Sequence, residues 1–179
     1  MCPEKNPLED SGKKRNMLDY VGHTFEPVFD SRSKILLLGT MPSPKSRQVG
    51  FYYSHPQNRL WRVLAAVLSQ DVPVSTVEKE GFLLRYNIAM WDVLASCQIV
   101  GADDNSIKDP VANDMNVIFS KAPIKAVFTT GKKATELYNR YCRGGKELEA
   151  VYLPSTSPAN CRLAFDELVA EYKIILKYL

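Results

Sequence analysis

Four short apolar runs along the chain predict β-strands. The run "KILLLGT" (34–40) is continuous in apolar residues, which is typical of a strand buried on both faces of a parallel sheet. Similar runs follow at "YNIAMWDVL" (86–94), "IKAVFTTG" (124–131) and "EAVYLP" (149–154). The spacing between the runs leaves room for a helix in each connection, as parallel strands require.

Amphipathic stretches between these runs predict helices. One apolar stripe consists of Leu60, Trp61, Leu64, Val67 and Leu68. Further helices are expected over 75–85, which opens with an S-x-x-E capping-box signature, over 109–122 and over 132–142. A last helix carries a stripe with a period near 3.6, made of Phe165, Leu168, Val169, Tyr172, Leu176 and Leu179. This alternation favours an α/β domain whose parallel sheet is covered on both faces.

The loops after the four strands are where a binding site is expected. In open α/β sheets, ligands bind beyond the carboxyl ends of the strands. Here those loops span 39–58, 95–107, 129–135 and 153–162. The first of them is long for a compact domain, and long loops of this kind are often functional.

Residues 51–58 combine aromatic side chains with a carboxamide. Pro56 suits a first helical turn, which would place Asn58 within that turn, near free backbone N–H groups. A flat ring beside an amide suits a planar heterocycle, because the ring stacks and the amide both donates and accepts. The alternative is that Tyr52, Tyr53 and Trp61 belong to the core and that Asn58 only starts a helix.

The fourth loop, "PSTSP" (154–158), presents small hydroxyl residues between two prolines. Such a loop can offer hydroxyl and N–H groups to a phosphate backbone, although it can equally be a plain loop capped by Asn160. Several cations fall in or near the four loops: Lys45, Arg47, Arg59, Lys132, Lys133 and Arg162. A basic rim at one edge of the sheet would fit a polyanion, whereas scattered solvated lysines are the simpler alternative.

Composition narrows the class of protein. The 179 residues suffice for one domain, with a flexible tail expected over 1–18 and a single domain over 19–179. The net charge of +3 is too small to indicate nucleic acid by itself. No apolar run of about 18 residues predicts a membrane span, and no signal peptide is visible, so we expect a cytoplasmic protein. Absent heptads make a monomer the default expectation.

Neither a metal nor another cofactor is expected. The four cysteines (Cys2, Cys97, Cys142 and Cys161) show no C-x-x-C spacing and are expected to be reduced thiols. Asp103 and Asp104 are adjacent, so their carboxylates should point apart rather than share a cation. "TTGKKAT" lacks the first glycine of a phosphate loop, since that position is Ala126. There is no G-x-G-x-x-G and no G-x-S-x-G.

Taken together, the loop segments resemble the uracil-DNA glycosylase superfamily. "GFYYSHPQNRLW" (50–61) is similar to G-F-P-F-A-H-P-A-N-R-F-W of the mismatch-specific uracil/thymine glycosylases. "TTGKKATELY" (129–138) resembles their third strand–helix turn, and "PSTSPAN" (154–160) their closing P-S-G-L-S loop. The hypoxanthine-DNA (deoxyinosine) glycosylase family of this superfamily is a closer match. Its features stand here at His23-Phe25-Pro27, 38–43, 52–61, 91–94 and 153–160.

The resemblance covers about residues 20–179 and implies a three-layer α/β/α sandwich with a central four-stranded parallel sheet. It implies a DNA-repair enzyme that flips a deaminated base, hypoxanthine or uracil, out of DNA and hydrolyses its N-glycosidic bond without a metal. The expected partner is DNA that contains deaminated bases.

The resemblance assigns the catalytic role to Asn58. The expected base pocket consists of Gly39, Thr40, Met41, Pro42, Ser43, Phe51, Tyr52, Tyr53 and His55. Backbone N–H groups over 39–43 are expected to stabilise the leaving base, Tyr53 to stack on it, and His55 to cap the helix rather than to act chemically. The expected DNA contacts are Ser155, Thr156, Ser157, Pro158, Ala159, Asn160, Lys45, Arg47 and Lys132.

Two positions depart from the uracil enzymes. Many of those enzymes place a catalytic Asp or Asn where this chain has Met41, and many begin the closing loop with His where it has Ser155. Robust uracil release is therefore not expected, and the sequence does not rank hypoxanthine, uracil and xanthine as substrates. Two alternatives stay open: a nucleoside N-glycosidase or deoxyribosyltransferase with Asp103 or Asp104 as nucleophile, and a catalytically silent module that binds damaged DNA.

Overall fold

The fold consists of seven strands and six α-helices in the part of the chain that the structure, a computed structural model, describes: residues 18–142 and 148–179. The strands are β1 (Asp19–Gly22), β2 (Ile35–Gly39), β3 (Ile88–Asp92), β4 (Leu94–Val100), β5 (Asp103–Ala112), β6 (Ala126–Thr130) and β7 (Ala150–Leu153). The helices are α1 (Pro44–Val49), α2 (Leu60–Leu68), α3 (Thr76–Arg85), α4 (Asn116–Phe119), α5 (Lys132–Tyr141) and α6 (Phe165–Tyr172). A 3-10 turn (Lys173–Lys177) follows α6.

A four-stranded parallel sheet in the order β3-β2-β6-β7 forms the centre of the molecule. All residues of β2, β3 and β6 are buried, which explains why these strands are continuous apolar runs in the sequence. Helices flank the sheet: α3 packs on β3, and α5 packs on β6 and β7, while α2 and α6 pack on each other. The predicted α/β/α class with its central four-stranded parallel sheet is confirmed.

The capping box predicted at the start of the second long helix is present. Ser75 Oγ accepts the backbone N–H of Glu78 at 3.2 Å, and Glu78 Oε2 accepts the backbone N–H of Ser75 at 2.8 Å. The long first loop differs from the expectation, because it contains the short helix α1, which is capped by Ser43. Helix α2 begins at Leu60, so Asn58 precedes the helix instead of lying in its first turn.

A second sheet, antiparallel and in the order β1-β4-β5, was not predicted. The stretch 95–107, expected as a loop, is a hairpin of β4 and β5. The helix expected over 109–122 is wrong, because β5 extends to Ala112 and only the single turn α4 is helical there. The two sheets adjoin where β3 runs into β4, and the N–H of His23 there donates to the carbonyl oxygen of Ala95 at 2.7 Å.

Other expectations concern the termini, the membrane and the cysteines. The flexible tail predicted over 1–18 lies, except for Leu18, outside the described residues. In the described part of the chain, no helix combines the length and the apolar character needed to cross a membrane. Three of the four cysteines lie in described segments, and all three are free thiols: Cys97, Cys142 and Cys161.

Candidate active site

A cavity of about 700 Å³ opens at the carboxyl ends of the four parallel strands. Gly39, Asp92 and Thr130, the last residues of β2, β3 and β6, line it, as do the loop after β7 and the β4–β5 turn. Its volume is within the range of about 300–1,000 Å³ that is usual for ligand pockets. The predicted site residues in its lining are Gly39, Thr40, Met41, Pro42, Ser43, Tyr52, Tyr53, Asn58, Ser155, Thr156, Ser157, Ala159 and Asn160.

The carboxamide of Asn58 is held in one orientation at the cavity wall. Its Oδ1 accepts the backbone N–H of Leu60 at 2.9 Å and the hydroxyl of Thr156 at 2.9 Å. A backbone N–H can only donate, so the oxygen and nitrogen of this amide are distinguished by their partners. Both lone pairs of Oδ1 are thereby used, and Nδ2 has no hydrogen bond within the described residues. Asn58 therefore offers hydrogen-bond donors, and no acceptor, to a ligand.

Tyr53 is an aromatic wall residue with an unusual backbone. Its φ of 49° is left-handed, a conformation that few non-glycine residues adopt and that is concentrated at functional sites. Its hydroxyl lies 2.8 Å from Thr130 Oγ1, which ties the ring to the end of β6. Burial, and then the negative charge of Asp92, holds the pKa of the Tyr53 phenol well above its usual range. Tyr53 is therefore a neutral, positioned ring.

Asp92 lies at the end of β3 with a buried partner. Its Oδ2 is 3.0 Å from His23 Nε2, and each of the two side chains is only 5% exposed. A carboxylate in such a place requires a partner, because leaving it unpaired would cost several kcal/mol. The ring of His23 packs in turn against Phe25, with 4.7 Å between ring centroids. His23, which precedes β2 in the chain, thus supplies the hydrogen-bond partner that the buried carboxyl group of Asp92 requires.

Asp104, the second residue of β5, brings a second carboxyl group to the cavity. The hydroxyl of Thr40 donates to Asp104 Oδ2 at 2.8 Å, and Oδ1 has no partner among the described residues. Burial raises the pKa of Asp104, the hydrogen bond from Thr40 opposes that shift, and the charge of Asp92 adds to it. The antiparallel hairpin, which the sequence did not predict, is what carries this group to the site.

Two predicted pocket residues do not line the cavity. Phe51 is buried and stacks on Trp61, with ring centroids 6.1 Å apart and an angle of 22° between the rings. His55 lies in the turn before α2, where its Nδ1 accepts the N–H of Gln57 at 3.2 Å. Tyr52 does line the cavity but is almost fully buried, and its hydroxyl donates to the carbonyl oxygen of Glu26 at 2.8 Å. The pocket wall therefore relies on Tyr53 rather than on Phe51.

The loop after β7 is tied to the start of α2. Arg59 donates through its guanidinium to the carbonyl oxygens of Asn160 and Leu163, and through its backbone N–H to the carbonyl oxygen of Thr156. Within the loop, Asn160 Nδ2 donates to the carbonyl oxygen of Ser155 at 2.8 Å. These bonds, with the hydroxyl of Thr156 on Asn58, make one connected wall from two distant segments of the chain.

The comparisons with known proteins agree with this architecture. The family model of the uracil DNA glycosylase superfamily matches residues 26–177. The chain belongs to that superfamily. It is accordingly a DNA glycosylase, a hydrolase of N-glycosidic bonds, as the resemblance implied.

Individual relatives narrow the branch of the superfamily. A Methanosarcina barkeri protein named hypoxanthine DNA glycosylase is 34% identical over 140 residues, which is 77% of this chain and 87% of the relative. A Methanosarcina acetivorans protein of the same name is 32% identical over 142 residues, 78% of this chain and 89% of the relative. The solution NMR structure of a proposed uracil DNA glycosylase from Methanosarcina acetivorans has a TM-score of 0.71 and 28% identity, covering 85% of this chain and 96% of that chain. The resemblance to the hypoxanthine enzymes is confirmed.

The cations of the glycosylase fall into two groups. Four of those expected at the rim contact protein oxygens: Lys45, Arg47, Arg59 and Lys133. Lys132 and Arg162 are exposed and have no side-chain partner among the described residues. Arg162 lines the cavity mouth, and Pro158 is exposed in the loop beside it. Lys132 and Arg162 are therefore the predicted rim cations best placed to meet phosphate.

Several residues of the glycosylase site were not among the predicted ones. Asp92 was visible as the single charge in an otherwise apolar strand, which signals a buried carboxylate that needs a partner. Its partner His23 belongs to a motif of the resemblance, but no local pattern connected it with Asp92, because the two lie 69 positions apart. Thr130 was not recognised because it continues an apolar strand pattern. No cluster of three or more His, Cys, Asp or Glu side chains suited to a metal ion occurs among residues 18–142 and 148–179.

Proposed function

We propose that this glycosylase releases deaminated bases from DNA, hypoxanthine first and uracil second. The base flips out of the duplex into the cavity, and water hydrolyses its N-glycosidic bond with protein groups as the only other participants. The names of the two curated relatives support hypoxanthine. As part of the same proposal, the protein acts as a cytoplasmic monomer.

The fixed amide of Asn58 is the observation that carries this proposal. Deamination replaces an exocyclic amino group, which donates, by a carbonyl, which accepts: adenine becomes hypoxanthine and cytosine becomes uracil. Asn58 Nδ2 can donate to that carbonyl but opposes an amino group. Turning the amide over would break the bond from the Leu60 N–H and leave that backbone group unpaired, at a cost of about 1–3 kcal/mol. The orientation of the Asn58 amide therefore favours hypoxanthine over adenine and uracil over cytosine.

The same donor assists bond cleavage. As the glycosidic bond breaks, negative charge develops on the leaving base, and a positioned donor that strengthens its bond to this charge lowers the barrier. Removing one such donor typically costs about 3 kcal/mol, or about a hundredfold in rate. Tyr53, which is neutral, would stack on the base without repelling its charge.

Selection against thymine and guanine, which also carry carbonyl groups, is assigned to the flipping step. Unpairing and unstacking cost a few kcal/mol and least for a mispaired base, so hypoxanthine and uracil in mismatches enter the cavity more readily. The hydroxyl-rich loop over 155–160 is proposed to hold the phosphate backbone beside the flipped nucleotide, with Lys45, Arg47 and Lys132 as further contacts.

The test is base release from duplex DNA under single-turnover conditions. Duplexes carry one central deoxyinosine, one central deoxyuridine or no modified base, and abasic sites are cleaved by alkali. We expect wild type to release hypoxanthine, and Asn58→Ala to be slower by about a hundredfold. Asn58→Asp, which keeps the shape but offers only acceptors, should lose as much.

The matched control is Asn116→Ala, which removes an exposed asparagine side chain in α4. It should retain wild-type rates. Unchanged release by Asn58→Ala would remove Asn58 from the mechanism while leaving the activity in place. DNA binding without release of either base would favour the silent binding module, and cleavage of free deoxyinosine at a rate equal to that in DNA would favour the nucleoside enzyme.

A further inference from the structure

We propose that Asp104 is the catalytic base of this glycosylase: its carboxylate orients the attacking water through Oδ1, takes up a proton from it and stabilises positive charge on the sugar. This inference deepens the proposed function and rests on it. It assigns a role to the β4–β5 hairpin, which brings Asp104 beside the end of β2.

The geometry gives Asp104 one anchored and one available oxygen. Oδ2 accepts the hydroxyl of Thr40 at 2.8 Å, and Thr40 directly follows Gly39 at the end of β2. This bond fixes the carboxylate without using Oδ1, which has no partner among the described residues. A base that is held through one oxygen and open through the other matches what water activation requires.

The other groups in the cavity are less suitable as a base. Asp92 is only 4% exposed and is paired with His23. Asn58 is not basic and has both lone pairs of Oδ1 engaged. Asp103 is exposed, and its Oδ1 accepts the N–H of Asn105 at 3.0 Å. Among the described cavity residues, Asp104 is thus the carboxylate that combines partial burial, an anchor and an open oxygen.

The electrostatic surroundings suit a base that works near neutral pH. Burial raises the pKa of Asp104, which brings it closer to the working pH and makes the carboxylate a better proton acceptor. The hydrogen bond from Thr40 and the charge of Lys133 act in the opposite direction and preserve the ionised form. The charged or titratable groups that interact with Asp104 are Asp92, Asp103, Lys133, Tyr53 and Cys97.

The step is balanced as a hydrolysis. The bond between C1′ and the base nitrogen breaks, and its electron pair leaves with the base. The water oxygen forms the new bond to C1′, and one water proton passes to Asp104 Oδ1. That proton then reaches the departing base through solvent, which restores the carboxylate. The products are the free base and an abasic site.

The first test compares Asp104→Asn with wild type on deoxyinosine duplex in single turnover. Asparagine keeps the size and can still accept from Thr40, but it cannot take up a proton. We expect a loss of about a hundredfold or more in the rate of base release, with DNA affinity and melting temperature no lower than those of wild type. The matched control, Asp71→Asn, alters an exposed carboxylate that makes no side-chain hydrogen bond to residues 18–142 or 148–179, and it should behave as wild type.

A second variant keeps the proposal open to contradiction even if Asp104→Asn folds poorly. Thr40→Val removes the hydrogen bond that lowers the pKa of Asp104, so that pKa rises further. Because the ionised form is active, the rate falls as the pH drops through this pKa. In Thr40→Val, the fall in rate at acid pH should therefore begin at a higher pH than in wild type. In Asp104→Asn, this fall in rate should be absent.

The outcomes separate this proposal from the proposed function. Wild-type rates in Asp104→Asn, or an unmoved acid limb in Thr40→Val, overturn the role of Asp104 and leave the glycosylase activity standing. Absence of base release by wild type itself overturns both. A slow Asp104→Asn together with a shifted limb in Thr40→Val supports the assignment.

Discussion

At Gly39, the floor of the cavity has no room for a side chain. A Cβ atom there would collide with Asp92 Oδ1 and with the hydroxyl of Tyr53. Asp92 cannot easily retreat, because its other oxygen is held by His23. The glycine therefore allows two polar groups to approach the end of β2, where the base is proposed to bind.

We predict that Gly39→Ala lowers both stability and activity. Overpacking at this position should reduce the free energy of unfolding by about 1–3 kcal/mol. Displacement of Asp92 and Tyr53 should slow base release by about tenfold or more, since small misplacements in a site have large effects on rate. Urea denaturation and single-turnover release measure the two effects. Gly22→Ala is the control, because a Cβ there meets nothing within 4 Å. Equal stability of the two variants would show that a Cβ at Gly39 does not collide with Asp92 and Tyr53.

The chemical types of the site residues were accessible from the sequence, whereas their orientations were not. Asn58 and Tyr53 stood out because an amide and aromatic rings were concentrated in one loop. The N–H of Leu60 sets which end of the Asn58 amide faces a ligand, but the second partner of its oxygen, Thr156, lies 98 positions away. The anchoring of Asp104 by Thr40 spans 64 positions. Such pairings are properties of the folded chain and carry no local pattern.

At the scale of elements, Arg59 connects the start of α2 to the loop after β7. Its guanidinium bridges two carbonyl oxygens of that loop, at Asn160 and Leu163. This role differs from the one expected from the sequence, where Arg59 was counted among the cations of a DNA-binding rim. A bridging arginine positions the loop even when no DNA is present.

We predict that Arg59→Lys slows base release and lowers the free energy of unfolding by about 1–3 kcal/mol, because lysine cannot span both carbonyl groups. The salt dependence of DNA affinity should stay unchanged, since the charge is kept and does not neutralise a phosphate. Affinity titrations at several salt concentrations and urea denaturation provide the measurements. Arg85→Lys, at an exposed position in α3, is the control. Wild-type stability and wild-type rate in Arg59→Lys would show instead that the two bonds to the loop are not needed.

The central strands were predictable and the hairpin was not, for a physical reason. The strands β2, β3 and β6 are buried throughout, so their apolar runs report directly on their environment. No residue of β5 is fully buried, and its sequence "DDNSIKDPVA" is rich in residues that disfavour strands. Its conformation comes from pairing with β4. Tertiary pairing of this kind overrides local preference, so local patterns suggested a loop over 95–107 and a helix over 109–122 instead.

At the scale of the molecule, the direction of the parallel strands makes the two ends of the sheet different. Lys125 lies just before β6 and Lys132 just after it, at the cavity end. Both are exposed. They form a matched pair for testing which end of the molecule faces DNA.

We predict that Lys132→Ala weakens DNA binding whereas Lys125→Ala does not. Loss of one phosphate contact should reduce the slope of log affinity against log salt by about 0.9. The measurement is fluorescence anisotropy of inosine-containing duplex over a series of salt concentrations. Equal slopes for both variants would place the DNA elsewhere on the surface.

The hydrogen bond between Asn58 and Thr156 also bears on when, during synthesis, the cavity becomes complete. Chains emerge from the ribosome amino terminus first, and domains fold as units once enough of them is available. A fragment that ends before β7 contains three of the four parallel strands and Asn58, but its carboxamide has only the N–H of Leu60 as a partner. The wall of the cavity is therefore completed only when the loop after β7 meets the start of α2. A shorter molecule would carry the framework of a glycosylase around an incomplete cavity.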